Sequence, residues 1–324
     1  MTAPGHSWPP LEQPPSDSAH LDGASVDSAP SDSALLDNTL LDRTGPSDSA
    51  PRPTRTTRPA GATAMAATLA AQASAPHRPA LLEALRRTVG ADPLVDDAHE
   101  PYLDAVGQRE VGRRLGVLRH RSGPTAPWHL VHDVPLSTAQ ANSPGEHVDP
   151  VHVDHVLVGP GGVYAVTVLH LPGARVRAAQ TAFVVDGQPS QHLREAKQRA
   201  LAVHRVLSEG AGRDVPVRAV VVVLGSERLA LPLRTADVAV LRAPVLVRWL
   251  RKQPKVLDAS TAAELAGHLT ATAHQHSDAH DSLDGFERLQ RTVLTADRLR
   301  RAWFVTLAVA ASSAVTTVLA SLSP

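Results

Sequence analysis

Residues 152–170 contain the side chains of this chain that are best placed to do chemistry. The stretch reads HVDHVLVGPGGVYAVTVLH, two apolar runs joined by GPGG, which is typical of a β-hairpin. His152 and Asp154 are two residues apart on the first strand, so they point to the same face. A carboxylate beside an imidazole can bind a divalent metal such as Zn²⁺ or Mn²⁺. We therefore consider Asp154 and His152 candidate metal ligands.

The turn determines which residues of the second strand face these two side chains. If Gly159 to Gly162 form the turn, Asp154 lies opposite Thr167 and His152 lies opposite Leu169. Directly opposed residues share a face of the sheet, with Cβ atoms about 5 Å apart. The sequence thus predicts a cluster in which Asp154 is the acidic residue.

The hairpin resembles the signature of the nuclease-related domain, NERD, a bacterial family distantly related to the PD-(D/E)xK nucleases. Three further segments are similar to parts of that family: AVGQREVGRRL to its opening helix, WHLVHDVPL to its first strand, and PSQHLREAKQRALAV to the helix after the hairpin. The resemblance covers roughly residues 105–275. It implies a restriction-endonuclease-like fold, in which helices flank a mixed sheet.

The resemblance also implies a nuclease site with four expected groups. These are a helix glutamate, a strand aspartate, and an acid-x-lysine on the next strand. Carboxylates of this kind hold Mg²⁺ beside a phosphate, and the lysine helps to activate water. Asp154 matches the catalytic aspartate, whereas the other three positions hold Gln108, Thr167 and Leu169. The resemblance therefore implies a degenerate site, with Mg²⁺ or another divalent metal as a cofactor only if the site is active.

The helix after the hairpin is a candidate nucleic-acid interface. In the resembling fold it approaches the site, and it carries Gln191, Arg194 and Lys197. These side chains could contact phosphates without cleavage. A solvated helix face is the alternative interpretation.

The order of elements predicts one α/β or α+β domain over residues 79–280. A helix precedes a β-meander, and a helix, two strands and further helices follow it. The run PVRAVVVVLG is β-branched and continuous, which favours a central strand buried on both faces. Ser260 is a candidate N-cap of the last helix of the domain.

Composition sets the domain apart from the start of the chain. Residues 1–78 are rich in Pro, Ser, Asp and Ala and have no sustained apolar period, so we expect a disordered arm. The chain has no cysteine and a formal net charge of zero. Disulfides and thiolate metal sites are thereby excluded, and any affinity for nucleic acid would require a local basic patch.

The C-terminal segments predict a membrane anchor. Residues 281–301 form an amphipathic juxtamembrane helix in this interpretation, and residues 302–322 carry no charge, enough for one transmembrane helix. Arginines on the preceding side place the domain in the cytoplasm. Small residues four apart, such as Ala310 and Ala314, permit a homo-oligomer through this helix.

Two functions from different classes remain open. The first is a membrane-anchored module that binds a partner, such as nucleic acid, without catalysis. The second is an active metal-dependent nuclease that uses Asp154 with substitute ligands. The sequence identifies no protein partner. The two functions differ in whether a second carboxylate converges on Asp154, and the spacing of the sequence predicts that none does.

Overall fold

The fold is known from a computed structural model that describes residues 58–76, 79–121, 127–136, 151–179, 182–231, 237–274 and 280–322. Its main sheet has five strands in the order β1-β2-β3-β7-β9. The first three strands pair antiparallel and the last two join in parallel, so the sheet is mixed. These strands are β1 (His129–Leu136), β2 (Val151–Gly159), β3 (Gly162–His170), β7 (Val217–Leu224) and β9 (Val238–Arg242).

The predicted hairpin is present with the predicted turn. Val158 pairs with Val163, and Gly159 pairs with Gly162. Gly159 leaves room for the Trp128 ring, because a Cβ at this position would lie 2.4 Å from a ring carbon. A smaller sheet with the order β6-β5-β4-β8 follows, formed by β4 (Arg175–Ala178), β5 (Phe183–Val185), β6 (Gln188–Ser190) and β8 (Arg228–Ala230).

Helices cover both faces of the main sheet, which confirms the mixed α/β architecture. One face packs on α4 (His192–Ala211) and α6 (Ala259–His274). The other packs on α3 (Asp96–Arg121) and α5 (Leu246–Arg251). Strand β7 contributes Val221 to the first cluster and Val220 to the second. The apolar run PVRAVVVVLG is therefore buried on both faces, as predicted.

A third apolar cluster joins the two ends of the described chain. It is formed by α1 (Ala62–Ala73), α3 and the 43-residue α7 (His280–Leu322). Phe286 of α7 is fully buried there, with its ring 5.6 Å from that of Tyr102. The ion pair between Arg109 and Glu287, at 2.8 Å, links α3 to α7 beside it.

Helix α1 differs from the prediction of a disordered arm up to residue 78. Its sequence, ATAMAATLAAQA, is dominated by alanine, the strongest helix former. Ala62 and Met65 are buried in the third cluster, so packing adds to this propensity. The rest of the predicted arm, up to residue 57, lies outside the described residues.

Helix α7 runs through both predicted C-terminal segments without a break. In the part of the chain that the structure describes, no helix has the length and apolarity needed to cross a membrane. The span predicted at residues 302–322 is therefore not supported. Thr306, Ser312 and Ser313 interrupt its apolar run, and the side chains of Ala314 and residues 316–322 are outside the described set.

The start of α6 also differs from the prediction. Asp258, and not Ser260, caps this helix, because its Oδ1 accepts the N–H of Thr261 at 2.8 Å. Ser260 donates its own hydroxyl to Asp258. Three donors from Ser260 and Thr261 lower the pKa of Asp258 to about 2, so the cap is charged at neutral pH.

Replacement of Phe286 by alanine tests whether α7 is part of the folded core. We expect Phe286→Ala to lower the free energy of unfolding by roughly 3–5 kcal/mol, because it empties a fully buried site. The matched change Phe304→Ala, at a side chain that is 68% exposed, should leave it nearly unchanged. Urea unfolding measures both variants. Equal effects would mean that α7 is not packed on the domain.

Candidate functional site

The candidate site lies where β2 and β3 part. Their pairing runs from Gly159 and Gly162 to His155 and Val166. The opposition predicted for Asp154 and Thr167, and for His152 and Leu169, lies beyond this ladder. Asp154 instead places its carboxylate between the strands, where Oδ2 accepts the N–H of Val168 at 2.6 Å. The side chain thus takes the place of a backbone partner.

Helix α3 supplies the second donor to this carboxylate. Gln108 Nε2 donates to Asp154 Oδ1 at 3.2 Å, and both side chains are buried. Gln108 lies on the same buried side of α3 as Val111 and Leu115. Glu110 points away and pairs with Arg113 and Arg114. The helix position at which the resemblance implies a glutamate therefore does contact Asp154, but it holds the amide side chain of Gln108.

A second buried carboxylate, Asp133, occupies the middle of β1. The register of β1 on β2 pairs His132 with His155 and Val134 with Val153, which places Asp133 level with Asp154. Asp133 has a φ of 48°, in the left-handed region. Side chains in a regular strand alternate between the two faces of the sheet, so residues three apart should face opposite sides. Val131 and Val134 of β1 nevertheless pack in the same cluster, as do Val153 and Val156 of β2. The two strands are thus distorted together at the two aspartates.

Thr63 at the start of α1, and Arg58 just before this helix, bind the Asp133 carboxylate. Its Oδ2 accepts the N–H and the hydroxyl of Thr63, at 2.8 and 3.0 Å, and pairs with Arg58 at 3.1 Å. His152 Nδ1 lies 3.5 Å from Oδ1. Burial opposes ionisation of Asp133, but the His152 and Thr63 hydrogen bonds and the Arg58 charge outweigh it and lower its pKa. Asp133 therefore anchors α1 beside the site as a charged carboxylate.

Asp154 has the opposite electrostatic environment. Burial raises its pKa to about 6, and the charges of Asp104 and Asp133 act in the same direction. Arg199 of α4 and the N–H of Val168 oppose this shift without cancelling it. The Asp154 carboxylate is therefore easier to protonate than an ordinary aspartate.

Arg199 and Asp133 are the site residues that the sequence analysis did not identify. Arg199 is half-buried, and its Nε donates to the carbonyl of His152 at 3.1 Å. Its spacing of three from Ala196 and four from Val203, both buried, was a signal that an arginine lies at the inner face of α4. Asp133 could have been noticed as an acid inside an apolar strand.

The remaining predicted positions do not add a second acid. Thr167 is buried, and its hydroxyl has no hydrogen-bond partner in the described structure. Leu169 packs in the apolar cluster on the α4 side of the sheet. His152 lies with Asp133 and with the Thr63 hydroxyl, 3.3 Å away. The structure thus brings Gln108 to Asp154, while His152 contacts the other carboxylate.

These donors do not fit the Mg²⁺ site that the resemblance implies. Mg²⁺ prefers carboxylate and water oxygens in an octahedral arrangement. Both Asp154 oxygens already accept protein hydrogen bonds, and its neighbour Gln108 presents an amide N–H to it. Among the described residues, no group of three or more His, Cys, Asp or Glu side chains could hold a metal ion.

A pair of histidines, of which His155 is buried and His132 is half-buried, completes the surroundings of the site. His132 Nδ1 and His155 Nδ1 are 2.8 Å apart. Burial and the nearby His132 hold the pKa of His155 well below its usual range, so its ring stays neutral. Helix α3 approaches this pair at Gly112, where a Cβ would lie 3.2 Å from the His132 ring. The pair is therefore packed closely against α3.

The predicted nucleic-acid residues lie on the exposed side of α4. Gln191 accepts a hydrogen bond from Arg194, and Lys197 pairs with Asp237 at 2.7 Å. All three are solvent-exposed. They line the surface of α4, whereas Arg199 is the residue of this helix that reaches the Asp154 region.

The raised pKa of Asp154 predicts a pH-dependent difference between the wild-type chain and Asp154→Asn. The folded chain binds a proton at Asp154 more tightly than the unfolded chain, so this group's stabilisation is present below about pH 4 and is lost as the pH rises to about 6. Asparagine keeps an acceptor for Val168 without this loss. We expect the unfolding free energy of Asp154→Asn, relative to wild type, to rise by about 2–3 kcal/mol from pH 4 to pH 7.

Urea unfolding of both chains across this range measures the difference. His155 and Asp133 titrate in both chains, so the subtraction isolates Asp154. A difference that falls with rising pH would mean that Arg199 dominates and that the carboxylate is stabilised in its charged form.

Comparison with known proteins gives a family match over the central part of the chain. No curated protein matches the chain, and no solved structure matches it. One family model, NERD or nuclease-related domain, matches residues 103–224. This range runs from α3 through β7 and includes Gln108, Asp154 and Arg199. A nuclease-related domain is therefore present in this chain.

Proposed function

We propose that the chain is a membrane-located module whose nuclease-related domain binds a partner, with nucleic acid as the favoured partner, and does not cleave it. The observation that carries this proposal is the hydrogen bonding of Asp154. Both oxygens of this carboxylate accept protein hydrogen bonds, and Gln108 occupies the position of the family's glutamate. The aspartate stabilises the parted strands and leaves no free oxygen for a metal ion.

Three features of the site support a loss of catalysis. Thr167 and Leu169 replace the acid and the lysine that would hold the metal and activate water. Asp133, the buried acid level with Asp154 on β1, already accepts hydrogen bonds from Thr63 and pairs with Arg58. Finally, the start of α1 lies against α3 beside the site, where a Cβ at Gly61 would be 3.2 Å from the Ala105 carbonyl oxygen. The site is thus closed by the chain itself.

Divalent-metal binding tests the absence of catalysis. Calorimetry with Mg²⁺, Mn²⁺ and Zn²⁺ on the full chain should give no saturable heat that depends on Asp154. Asp154→Asn is the matched variant, because it removes the charge and keeps the shape. Gln108→Glu, also isosteric, is the positive control, since it adds a second carboxylate beside Asp154 and should produce binding. Wild-type binding that Asp154→Asn abolishes, together with metal-dependent cleavage of DNA or RNA, would establish the alternative, an active nuclease.

Binding of nucleic acid is supported by the exposed face of α4. Arg194, Lys197 and Arg205 lie on this helix, which packs on the face of the sheet that Thr167 and Leu169 border. The net charge of the chain is zero, so such a local concentration of cations is what an anionic polymer could recognise. Arg194 and Lys197 are already paired with Gln191 and Asp237, which predicts weak binding.

Salt-dependent anisotropy with labelled DNA and RNA tests this interface. We expect Arg194→Gln/Lys197→Gln to weaken binding and to reduce the slope of log K against log salt by about one for each lost phosphate contact. Arg248→Gln/Arg251→Gln is the matched control, because α5 lies on the opposite face of the sheet. An equal loss in both double variants would indicate non-specific attraction and would contradict an α4 interface.

The membrane location is supported by the exposed end of α7. Phe304, Val305, Leu307 and Val309 are each at least 60% exposed, an unusual series of apolar side chains for contact with water. The arginines before them favour attraction to the anionic cytoplasmic leaflet of a membrane, and so a cytoplasmic domain. Self-association through the same helix remains a prediction.

A further inference from the structure

Helix α2 (Ala80–Thr88) presents an apolar stripe to solvent. Leu81, Leu85 and Val89 follow one another at intervals of four, so they share one side of the helix. Their exposures are 86%, 61% and 49%. A contiguous exposed apolar surface of this kind commonly marks a binding site.

The end of α2 rests on α7 at one particular level. Trp303 Nε1 donates to the carbonyl of Thr88 at 2.9 Å. Gly90 lies so close to α7 that a Cβ there would be 2.6 Å from the backbone of Ala296 and of Arg300. This is the level at which the charged part of α7 ends and its uncharged part begins. The two exposed apolar surfaces therefore meet.

The charges around this junction are mostly positive. Helix α2 contributes Arg86 and Arg87, and α7 contributes Arg298, Arg300 and Arg301. Asp297 pairs with Arg300 and Arg301, and the sequence of α2 contains one acidic residue. A second copy of the chain would bring these arginines against their counterparts, whereas an anionic bilayer would attract them. Arginines beside apolar side chains and a tryptophan fit the interface of such a bilayer.

We propose that α2 and residues 303–309 of α7 form one surface that binds an anionic lipid bilayer, with α2 lying along the headgroups. This inference deepens the membrane location proposed above and rests on it. In this arrangement Leu81, Leu85 and Val89 enter the outer part of the hydrocarbon. Trp303 and the arginines lie at the level of the phosphates. The close packing of Gly90 against α7 connects this surface to the domain.

Flotation of the full chain with vesicles tests this surface. One set of vesicles is phosphatidylcholine alone, and the other contains an equal part of phosphatidylglycerol. We expect wild type to bind the anionic vesicles preferentially. Leu81→Ser/Leu85→Ser should reduce that binding roughly tenfold, and Arg86→Gln/Arg87→Gln should reduce it most at low salt. The matched control is Leu201→Ser/Leu231→Ser, because these leucines are also exposed, at 47% and 36%, on other elements.

Each outcome bears on a different proposal. Loss of binding in both α2 variants but not in the control supports the surface, provided that thermal unfolding of the variants matches wild type. Wild-type binding that the α2 variants retain would overturn the role of α2 and leave the membrane location standing. No binding by wild type would overturn both. Equal binding to neutral vesicles would overturn the charge argument. A change of oligomeric state in the α2 variants without vesicles would assign the stripe to a second copy.

Discussion

Two buried carboxylates, those of Asp133 and Asp154, need hydrogen-bond donors at the level where β2 separates from β3, and the packing around the site depends on these donors. An aspartate without donors would be costly to bury. Asp133 takes its donors from Arg58 and Thr63 at the start of α1, and Asp154 takes its donors from Gln108 and from the backbone of Val168. These donors come from distant parts of the chain. The carboxylates therefore hold α1 and α3 to the sheet at one place.

The same arrangement shows that protein groups alone satisfy the Asp154 carboxylate. Parted strands expose backbone donors such as Val168 N–H, and an aspartate between them replaces the missing partner. Gln108, at the position where the family resemblance implies a glutamate, supplies an N–H to this carboxylate. Burial then raises the pKa of Asp154, whereas Arg58, His152 and Thr63 lower that of Asp133. The two acids thus differ in ionisation. Asp154 titrates closer to neutral pH than an ordinary aspartate, whereas Asp133 is charged at neutral pH.

Outside the residues that match the family model, α7 forms a second packing centre with α1 and α3. Its first turns are buried through Phe286, and its later part is exposed beside α2. The domain core and the exposed apolar surface are thereby connected by one continuous helix. A binding event at that surface could reach the α1 and α3 packing through this helix and through Leu94, which follows α2 and packs in the same cluster.

Local pattern determined much of this fold. Alternating and continuous apolar runs specified β2, β3 and β7, and GPGG specified the turn between β2 and β3. These signals act over a few residues. The positions matching Asp154 and Gln108 were also readable from the sequence. The break in strand alternation at Asp133 was not, since its left-handed backbone is stabilised by Thr63, seventy positions away. Nor could periodicity show that an alanine-rich run packs as α1, or that Arg199 reaches the site. Only tertiary structure decided these features, because the donors and packing surfaces that stabilise them come together after the chain has folded.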